Sequence, residues 1–384
     1  MNIVFVSNYF NHHQRPLSEK LYELTGGNYT FIETEPMEAE RKNMGWGESD
    51  VPAFVVQNYI DEEARNRCDE MIYDADVVIY GAAPYEILAD RLKAKKLTFA
   101  YFERIYKKKC KGYKIPPKLF THYLQYSRHK SLYLLCASAY TLADFAKTRC
   151  FLDKAYKWGY FPKTKSYQSL DELIESKKKN SIVWVARFID WKHPEIPILL
   201  AKRLIDDGYD FELNMIGNGE MLDAMRAFAD ENQVSDKLSI LGSMSPDEVR
   251  NYMEKSELLL FTSDRNEGWG AVLNEAMNSA CVPVASHIIG SAPYLMDNGK
   301  NGFLYRDGDF EDMYQKIKYL LENNAKRQEM ARSACRTVVE DWNADVAAKR
   351  IIELAGEILD GNRTPALYSD GICSKAEILK DNWL

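Results

Sequence analysis

Residues 181–220 read SIVWVARFIDWKHPEIPILLAKRLIDDGYDFELNMIGNGE, and this stretch decides the fold class. Its β-branched run SIVWV predicts a buried strand, and the apolar spacing within 194–207 predicts a helix. Residues 211–216 predict a second strand, which ends at a glycine turn. A helix between two apolar strands is typical of a parallel sheet covered on both faces. The sequence therefore predicts an α/β fold.

The same alternation of strand and helix occurs in both halves of the chain. The first half is predicted to contain strands at 2–7, 29–32, 76–80, 98–102 and 133–136 and helices at 16–24, 62–75 and 85–93. The second half continues with strands at 237–241, 258–261 and 282–285 and helices at 220–232, 246–255, 271–279 and 310–323. We therefore predict two doubly wound Rossmann-like domains at 1–165 and 181–341, a linker at 166–180, and a C-terminal helix with a tail at 342–384.

The composition also favours two domains. The chain has 384 residues, of which 46% are hydrophobic and 28% charged, enough for two cores. Its start lacks the pattern of a secretory signal, and no run approaches the ~20 apolar residues of a spanning helix. The seven cysteines form no C-x-x-C pair, which is typical of reduced packing thiols rather than of disulfides or a zinc site. We expect a soluble, cytoplasmic protein.

Positive charge is concentrated in residues 91–130. This segment has thirteen Lys or Arg residues and a single acid, Glu103, so its net charge is +12, while the remaining residues together carry −19. Such a segment predicts an anionic partner: the phosphates of a lipid-linked acceptor, an anionic membrane surface or nucleic acid. A solvated lysine-rich surface is the alternative. Nucleic acid is the least favoured partner, because no aromatic-interleaved recognition motif accompanies the basic residues.

A polar loop with two glutamates follows the predicted strand 258–261. Residues 262–277 read TSDRNEGWGAVLNEAM, which places Glu267 in the loop and Glu275 about one turn inside the next helix. The amides of Gly270, Ala271 and Val272 would form the start of that helix. Because a helix N-terminus offers unpaired N–H donors and a positive dipole end, it suits a diphosphate. The loop therefore predicts an anion site flanked by two acceptors for hydroxyl groups.

The glutamate pair, with Gly-Trp-Gly inside it and Glu-Ala-Met at its end, resembles the E-x7-E motif of retaining family 4 glycosyltransferases of GT-B architecture. Further matches occur in that family's order: VARF at 185–188 followed by Lys192, IGNGE at 216–220, LGSM at 241–244, GSAP at 290–293 and NGFL at 301–304. The resemblance implies two Rossmann-like domains facing each other across a cleft. It also implies that the helix after residue 342 crosses back to the first domain.

The resemblance assigns roles to residues of the second domain. Arg187 and Lys192 would hold the donor diphosphate, Glu267 would contact hydroxyls of the donor sugar, and Glu275 would contact the ribose. The other residues implied at the donor are Gly217, Asn218, Gly219, Ser243, Met244, Gly268, Trp269, Gly270, Ala271 and Val272. We interpret the Trp269 ring as a packing aromatic of this loop rather than a platform for the sugar. One departure is Tyr294, which stands where the family often has a glutamate.

The first domain would supply the acceptor site. His12 and His13 follow its first predicted strand, and either could contact a phosphate or the acceptor hydroxyl, with His12 preferred. Glu103 follows another strand end and is read either as an acceptor ligand or as a strand cap. The glycine pair usual in the family's N-terminal loop is absent here. In the resembled family no general base is required, because the departing phosphate oxygen takes the acceptor proton.

The sequence therefore predicts a retaining glycosyltransferase of the hexosyltransferase type. It would move a sugar from a nucleotide diphosphate sugar, UDP-linked by preference with GDP as the alternative, to a glycan or lipid-linked acceptor in polysaccharide or glycolipid synthesis. We expect no metal, because Arg187 and Lys192 can neutralise the diphosphate. The expected location is the cytoplasm, peripheral at the inner membrane face. A sugar-nucleotide epimerase of the same architecture and a non-catalytic sugar-nucleotide-binding subunit are the alternatives.

Overall fold

The computed structural model describes residues 1–38, 50–107 and 115–384. They form two compact units: the first unit is Met1–Lys163 with Trp342–Trp383, and the second unit is Thr164–Asp341. Each unit contains one sheet in which every paired strand is parallel. The α/β fold predicted from the strand–helix alternation is therefore confirmed.

The sheet of the first unit has seven strands in the order β3-β2-β1-β4-β5-β6-β7. The strands are β1 Ile3–Ser7, β2 Tyr29–Glu33, β3 Val55–Gln57, β4 Val77–Tyr80, β5 Thr98–Phe102, β6 Leu132–Cys136 and β7 Ala155–Lys157. The helices before residue 164 are α1 Arg15–Leu24, α2 Glu62–Asp74, α3 Ala89–Lys93, α4 Ile115–His122 and α5 Thr141–Ala146. Helix α4 continues into one π-helical turn, Tyr123–Ser127.

The sheet of the second unit has six strands in the order β10-β9-β8-β11-β12-β13. The strands are β8 Ser181–Val185, β9 Glu212–Ile216, β10 Leu238–Gly242, β11 Leu258–Phe261, β12 Val282–Ser286 and β13 Phe303–Tyr305. The helices are α6 Leu170–Glu175, α7 Glu195–Asp206, α8 Leu222–Glu231, α9 Pro246–Lys255, α10 Val272–Asn278, α11 Ala292–Leu295, α12 Phe310–Glu322 and α13 Asn324–Arg336. The strand order reverses at β8, and ligands of such sheets bind beyond the carboxyl ends of the strands at this switch point.

The C-terminal helix α14, Ala344–Leu359, and the tail after it belong to the first unit. Helix α14 packs against α1, and the ammonium of Lys20 lies 2.9 Å from a carboxylate oxygen of Asp345. Near the end of the tail, the indole N–H of Trp383 donates to the Tyr140 hydroxyl at 2.8 Å. Of the helices among the described residues, none has the length and apolarity needed to cross a membrane.

Two arginines of the basic segment are not surface cations. The guanidinium of Arg91 is buried and donates to backbone carbonyl oxygens of Ile72, Ala75 and Asp76. Arg104 is also buried, and its guanidinium contacts carboxylates of the first unit. The positive surface charge predicted for residues 91–130 is therefore too high, because it counts these two buried arginines. Lys108, Lys109, Lys111 and Lys114 of the same segment, with Cys110, lie outside the described residues, and the other six cysteines are buried free thiols.

Residues 166–180, predicted as a linker, belong to the second unit instead and contain helix α6. Lys177 is buried there, and its ammonium donates to the carbonyl oxygens of Met253, Glu254, Ser256 and Ser279 at 2.7–3.1 Å. Burial lowers the pKa of this lysine. Four carbonyl acceptors offset the desolvation of the ammonium, so this residue fastens the segment to the second unit.

Replacing Lys177 by methionine is expected to lower the free energy of unfolding by about 4 kcal/mol, because four carbonyls lose a buried donor. Urea denaturation followed by tryptophan fluorescence measures the change. Lys179→Met is the matched control, since Lys179 is exposed two residues away and should change stability by less than ~0.5 kcal/mol. Equal effects of the two substitutions would show that the buried contacts of Lys177 do not stabilise the unit.

Candidate active site

The loops that follow β8, β9 and β10 are joined by backbone hydrogen bonds beyond the ends of the strands. The amide of Ala186 donates to the carbonyl of Ile216 at 3.1 Å, and the amide of Gly217 donates to the carbonyl of Gly242 at 2.9 Å. The amide of Phe188 donates to the Asn218 carbonyl at 2.9 Å. Three loops therefore form one fixed edge at the carboxyl ends of β8, β9 and β10, next to the switch point at which this kind of sheet binds its ligand.

Two glycines permit this close approach of backbones. Gly217 has φ +144°, and a Cβ placed on it would lie 1.9 Å from the carbonyl oxygen of Ala186. Gly219 has φ +156°, and its Cβ would lie 2.4 Å from the carbonyl oxygen of Phe188. No side chain fits at either position, so both glycines are required by the contact between the β8 and β9 loops.

The loop after β11 is brought against the loop after β8. Lys192 ends the 3₁₀ turn Asp190–Lys192, and its ammonium donates to the carboxylate of Glu267. These two side chains are 11% and 10% exposed. The amide of Asp264 donates to the Trp191 carbonyl at 3.0 Å, which fastens the two loops beside the ion pair. Two residues predicted for the donor site, 75 positions apart, therefore meet in one partly enclosed place.

Arg187 lies on the same loop as Lys192 but is exposed. Its guanidinium carbon is 5.9 Å from the centre of the Trp191 ring. An exposed guanidinium beside a loop edge is accessible to an anion, and its planar fork can bind two phosphate oxygens. The structure therefore leaves Arg187 accessible to a ligand, while Lys192 is already paired with Glu267.

Trp269 packs inside the second unit. The residue is completely buried, and its indole N–H donates to the side-chain oxygen of Asn274 at 2.8 Å. The next residue, Gly270, has φ +86°, and a Cβ there would lie 2.7 Å from the ring of Phe261. The indole of Trp269 therefore offers no face to a ligand, and Gly268–Trp269–Gly270 shapes the loop that holds Glu267.

Glu275 lies on α10, which begins at Val272 after Ala271. Burial raises the pKa of its carboxyl group, and nearby Arg250 opposes that rise. The Arg250 guanidinium also donates to the backbone carbonyl of Glu275 at 3.1 Å. The amides of the first turn of a helix have no acceptor within the helix, so Ala271 and Val272 present donors near the loop of Glu267.

Three further residues predicted at the donor lie at the same edge of the sheet. Ser243 and Met244 directly follow β10; the serine is exposed and the methionine half-buried. Asn218 lies between the two tightly packed glycines, and its side-chain oxygen accepts from the amide of Gly219 at 2.8 Å. These residues flank the fixed edge, although the structure shows no hydrogen bond from them to Glu267 or Lys192.

The sequence did not single out a group of side chains next to Lys192. His193 adopts a left-handed conformation with φ +52°, and its Nδ1 lies 3.0 Å from a carboxylate oxygen of Glu195. The Nε2 atom of His193 lies 4.0 Å from a carboxylate oxygen of Asp264. The hydrogen bond to Glu195 raises the pKa of His193. The one signal in the sequence that could have predicted His193 as a site residue is its position next to Lys192.

The sequence also contains an Asp-x-Asp triplet, Asp307-Gly-Asp309, which was not predicted as part of the site. Asp309 is the N-cap of α12 and accepts from the amide of Asp312 at 2.9 Å. Asp307 accepts from the Ser286 hydroxyl at 3.2 Å, and burial raises its pKa. Among the described residues, no group of three or more His, Cys, Asp or Glu side chains is arranged to hold a metal ion.

In the first unit, two histidine rings lie together in the loop after β1. The ring centres of His12 and His13 are 3.9 Å apart. Burial, together with the smaller effect of neighbouring His12, lowers the pKa of His13 to about 3. His13 is therefore neutral at neutral pH, and its ring stacks at 6.4 Å on that of Tyr160.

Tyr160 connects the histidine loop with Glu103. Its hydroxyl donates to one carboxylate oxygen of Glu103 at 2.6 Å, and the ammonium of Lys107 donates to the other at 3.1 Å. Burial raises the pKa of Tyr160 well above its usual value, so the phenol remains a proton donor. Tyr160 follows Glu103 by 57 residues, and only the fold brings them together. The structure thus places His13 and Glu103 against a tyrosine that the sequence did not indicate, with His12 beside His13.

The comparisons with known proteins concern mainly the second unit. Residues 168–337 match the family model described as Glycosyl transferases group 1. An uncharacterized glycosyltransferase of Methanocaldococcus jannaschii is 30% identical over 39% of this chain and 41% of its own length. The amylovoran biosynthesis glycosyltransferase AmsK of Erwinia amylovora is 23% identical over 45% of this chain and 44% of its own length. The matches therefore span less than half of these relatives.

The comparison with solved structures covers more of the chain than the sequence matches do. The crystal structure of Anabaena HepE superposes with a TM-score of 0.69 at 14% identity, covering 93% of this chain and all of that one. With two parallel α/β units, this likeness shows that the fold is GT-B. Within this GT-B fold, residues 168–337 of the second unit are similar to the glycosyl transferases group 1 family.

Proposed function

We propose that this protein is a retaining glycosyltransferase of family 4. It moves a sugar from a nucleotide diphosphate sugar, held by the second unit, to a glycan or lipid-linked acceptor recognised by the first unit. The observation that carries the proposal is the Lys192–Glu267 pair beside the glycine-lined edge of β8 and β9. This pair lies within residues 168–337, the region that matches the family model.

The cations of the second unit would stabilise the leaving group. Breaking the bond between sugar and nucleotide leaves a diphosphate that gains negative charge, and fixed donors aimed at it lower the barrier. The exposed fork of Arg187 would bind two phosphate oxygens, and Lys192 would add a point charge between the phosphate and Glu267. In this proposal these two side chains provide the charge that a metal ion provides in other transferases.

The carboxylates would position the donor. Glu267 would accept hydrogen bonds from hydroxyls of the sugar, and Glu275 would contact the ribose. In the first unit, His12 and the Glu103–Tyr160 pair would hold the acceptor hydroxyl. The departing phosphate oxygen would take the acceptor proton. The acceptor would then attack the face of the sugar that the phosphate leaves, and attack on that face retains the anomeric configuration.

A uridine nucleotide is the donor that we propose first. The superposed structure of HepE is a complex with UDP, and another structure of that protein contains UDP-glucose. GDP is the alternative nucleotide. Three relatives are named for the biosynthesis of amylovoran or of colanic acid, which supports the proposal that this reaction is one step in building a polysaccharide or glycolipid.

A thermal-shift titration with UDP, GDP and ADP tests the donor site, because a ligand bound only by the native state raises the unfolding midpoint. We expect UDP to raise the midpoint, and Arg187→Ala to weaken UDP binding about tenfold through loss of a bidentate phosphate contact. Arg226→Ala is the matched control, because Arg226 is an exposed arginine of the same unit that pairs with Asp223, three residues before it on α8. Equal losses in both variants would contradict the role of Arg187.

The reaction itself is tested with a labelled UDP-sugar, with and without candidate acceptors. We expect nucleotide release coupled to the appearance of a glycosylated acceptor, and a product whose anomeric configuration, read by NMR, equals that of the donor. Conversion of the donor sugar to its epimer without an acceptor would instead identify an epimerase. Binding of nucleotide with neither reaction would favour a sugar-nucleotide-binding subunit.

A further inference from the structure

The helix α4 and its π-helical turn present apolar side chains to solvent. Leu119, Phe120, Tyr123 and Leu124 are 40%, 69%, 56% and 36% exposed. Phe120, Tyr123 and Leu124 follow a spacing of three and four residues, so they share one face of the helix. We call these four residues the apolar face of α4. Such a concentration of exposed large apolar side chains is typical of a surface that binds a protein, a membrane or a ligand.

The C-terminal end of this segment is fixed to the core of the first unit. The Tyr126 ring packs on Phe102 and Phe145 at centre-to-centre distances of 6.1 and 5.4 Å. The Tyr85 hydroxyl donates to the carbonyl of Gln125. These contacts hold the end of the segment against the core, while the four side chains of the apolar face of α4 stay exposed.

Cations follow the apolar face of α4 along the chain and lie on the neighbouring loop. Residues 115–130 contain no Asp or Glu, and Arg128 and Lys130 at the end of the segment are exposed. The neighbouring loop is bound to the segment at two points, since His122 Nδ1 lies 2.9 Å from the Thr148 hydroxyl and the Ser127 hydroxyl lies 3.0 Å from Cys150 Sγ. That loop brings the exposed side chain of Arg149 beside the helix, followed by the exposed Leu152.

We propose that the apolar face of α4 binds the surface of an anionic lipid bilayer. Exposed aromatic and leucine side chains flanked by cations are the composition of interfacial helices, whose apolar residues enter the boundary between headgroups and acyl chains. The charge balance supports this partner, because residues outside 91–130 together carry −19 and would be repelled by the same bilayer.

This inference goes beyond the proposed reaction, since a protein can bind a bilayer whatever sugar it transfers. It also brings the first unit, which carries the proposed acceptor residues, to the surface in which a lipid-linked acceptor lies. The bilayer would concentrate the protein at the surface where such an acceptor lies, and the apolar face of α4 would set its orientation there.

Co-sedimentation of the full chain with lipid vesicles tests the proposal. We expect binding to vesicles of phosphatidylcholine mixed with phosphatidylglycerol, weaker binding to phosphatidylcholine alone, and weakening by high salt. The double variant F120S/L124S should bind the anionic vesicles about tenfold less tightly or worse, because two apolar side chains no longer insert. Ile60→Ser is the matched control: Ile60 is 64% exposed and follows β3, at the opposite edge of the sheet from β6 and β7.

Three outcomes overturn the proposal: no binding of the wild-type chain to anionic vesicles, equal losses in F120S/L124S and Ile60→Ser, or a concentration-dependent dimer in solution that F120S/L124S abolishes. The last outcome would assign the face to a second copy of this chain. The unfolding midpoint of each variant shows that it folds. The midpoint shift with UDP is measured in parallel, so failure of membrane binding and failure of the donor site are separate results.

Discussion

Replacing Glu267 by glutamine should lower the rate of sugar transfer about 10³-fold while nucleotide binding persists. Glutamine has nearly the same shape, so the loop after β11 keeps its packing. The change removes the negative charge that faces Lys192, and it replaces by an NH2 donor one of the two carboxylate oxygens proposed to accept from hydroxyls of the donor sugar. Steady-state rates of nucleotide release in the presence of an acceptor measure the loss, and the thermal shift with UDP shows that the nucleotide still binds.

The matched control for this substitution is Glu254→Gln. Glu254 is also a glutamate of the second unit paired with a lysine, since the Lys165 ammonium lies 2.6 Å from its carboxylate. Its pair lies at α9, away from the strand ends that form the proposed donor site. Full activity of Glu267→Gln, or an equal loss in Glu254→Gln, would show that Glu267 is not part of the active site.

A double-mutant cycle can show whether the lysine acts through the glutamate. Lys192→Met and Glu267→Gln are each compared with the double variant, and groups in direct contact show non-additive effects. If the lysine serves mainly to orient Glu267, the double variant should be about as slow as Glu267→Gln alone. If Lys192 also meets the diphosphate, the Lys192→Met variant should in addition lose part of its thermal shift with UDP.

The interior strands could be predicted from sequence because their own residues determine them. Strands β8 and β11 lie at Ser181–Val185 and Leu258–Phe261, as the apolar runs predict. The strands β3, β7 and β13 were missed, and each has only three residues. So short a run has no periodic pattern, and its extended conformation depends on pairing with a neighbouring strand, as Phe31 pairs with Val55.

The parts of the site that lie along one loop could be predicted, whereas contacts between distant residues could not. The spacing of Glu267 and Gly270 is a property of the sequence, and the structure places both in the loop after β11. The hydrogen bond of Tyr160 to Glu103 depends on β5 and the segment after β7 meeting in space. Counting charges fails for a similar reason, because Arg91 is a surface cation by composition but binds backbone carbonyls in the core.

Replacing Gly217 by alanine should destabilise the second unit by about 3 kcal/mol and abolish its thermal shift with UDP. A Cβ at this position would lie 1.9 Å from the backbone carbonyl oxygen of Ala186, which cannot rotate away as a flexible side chain could. The β8 and β9 loops must therefore separate, and Arg187 and Lys192 move with the first of them. Thermal denaturation with and without UDP measures both effects.

Gly208→Ala separates the clash from the backbone strain. Gly208 also has a positive φ of +78° in the second unit, but a Cβ there meets nothing within 4 Å. Alanine at this position should therefore cost only about 1 kcal/mol for the left-handed conformation and leave the UDP shift unchanged. If both alanine variants lost the same stability and both still bound UDP, the close approach of the β8 and β9 loops would not be what forms the donor site, and the proposed binding edge would be wrong.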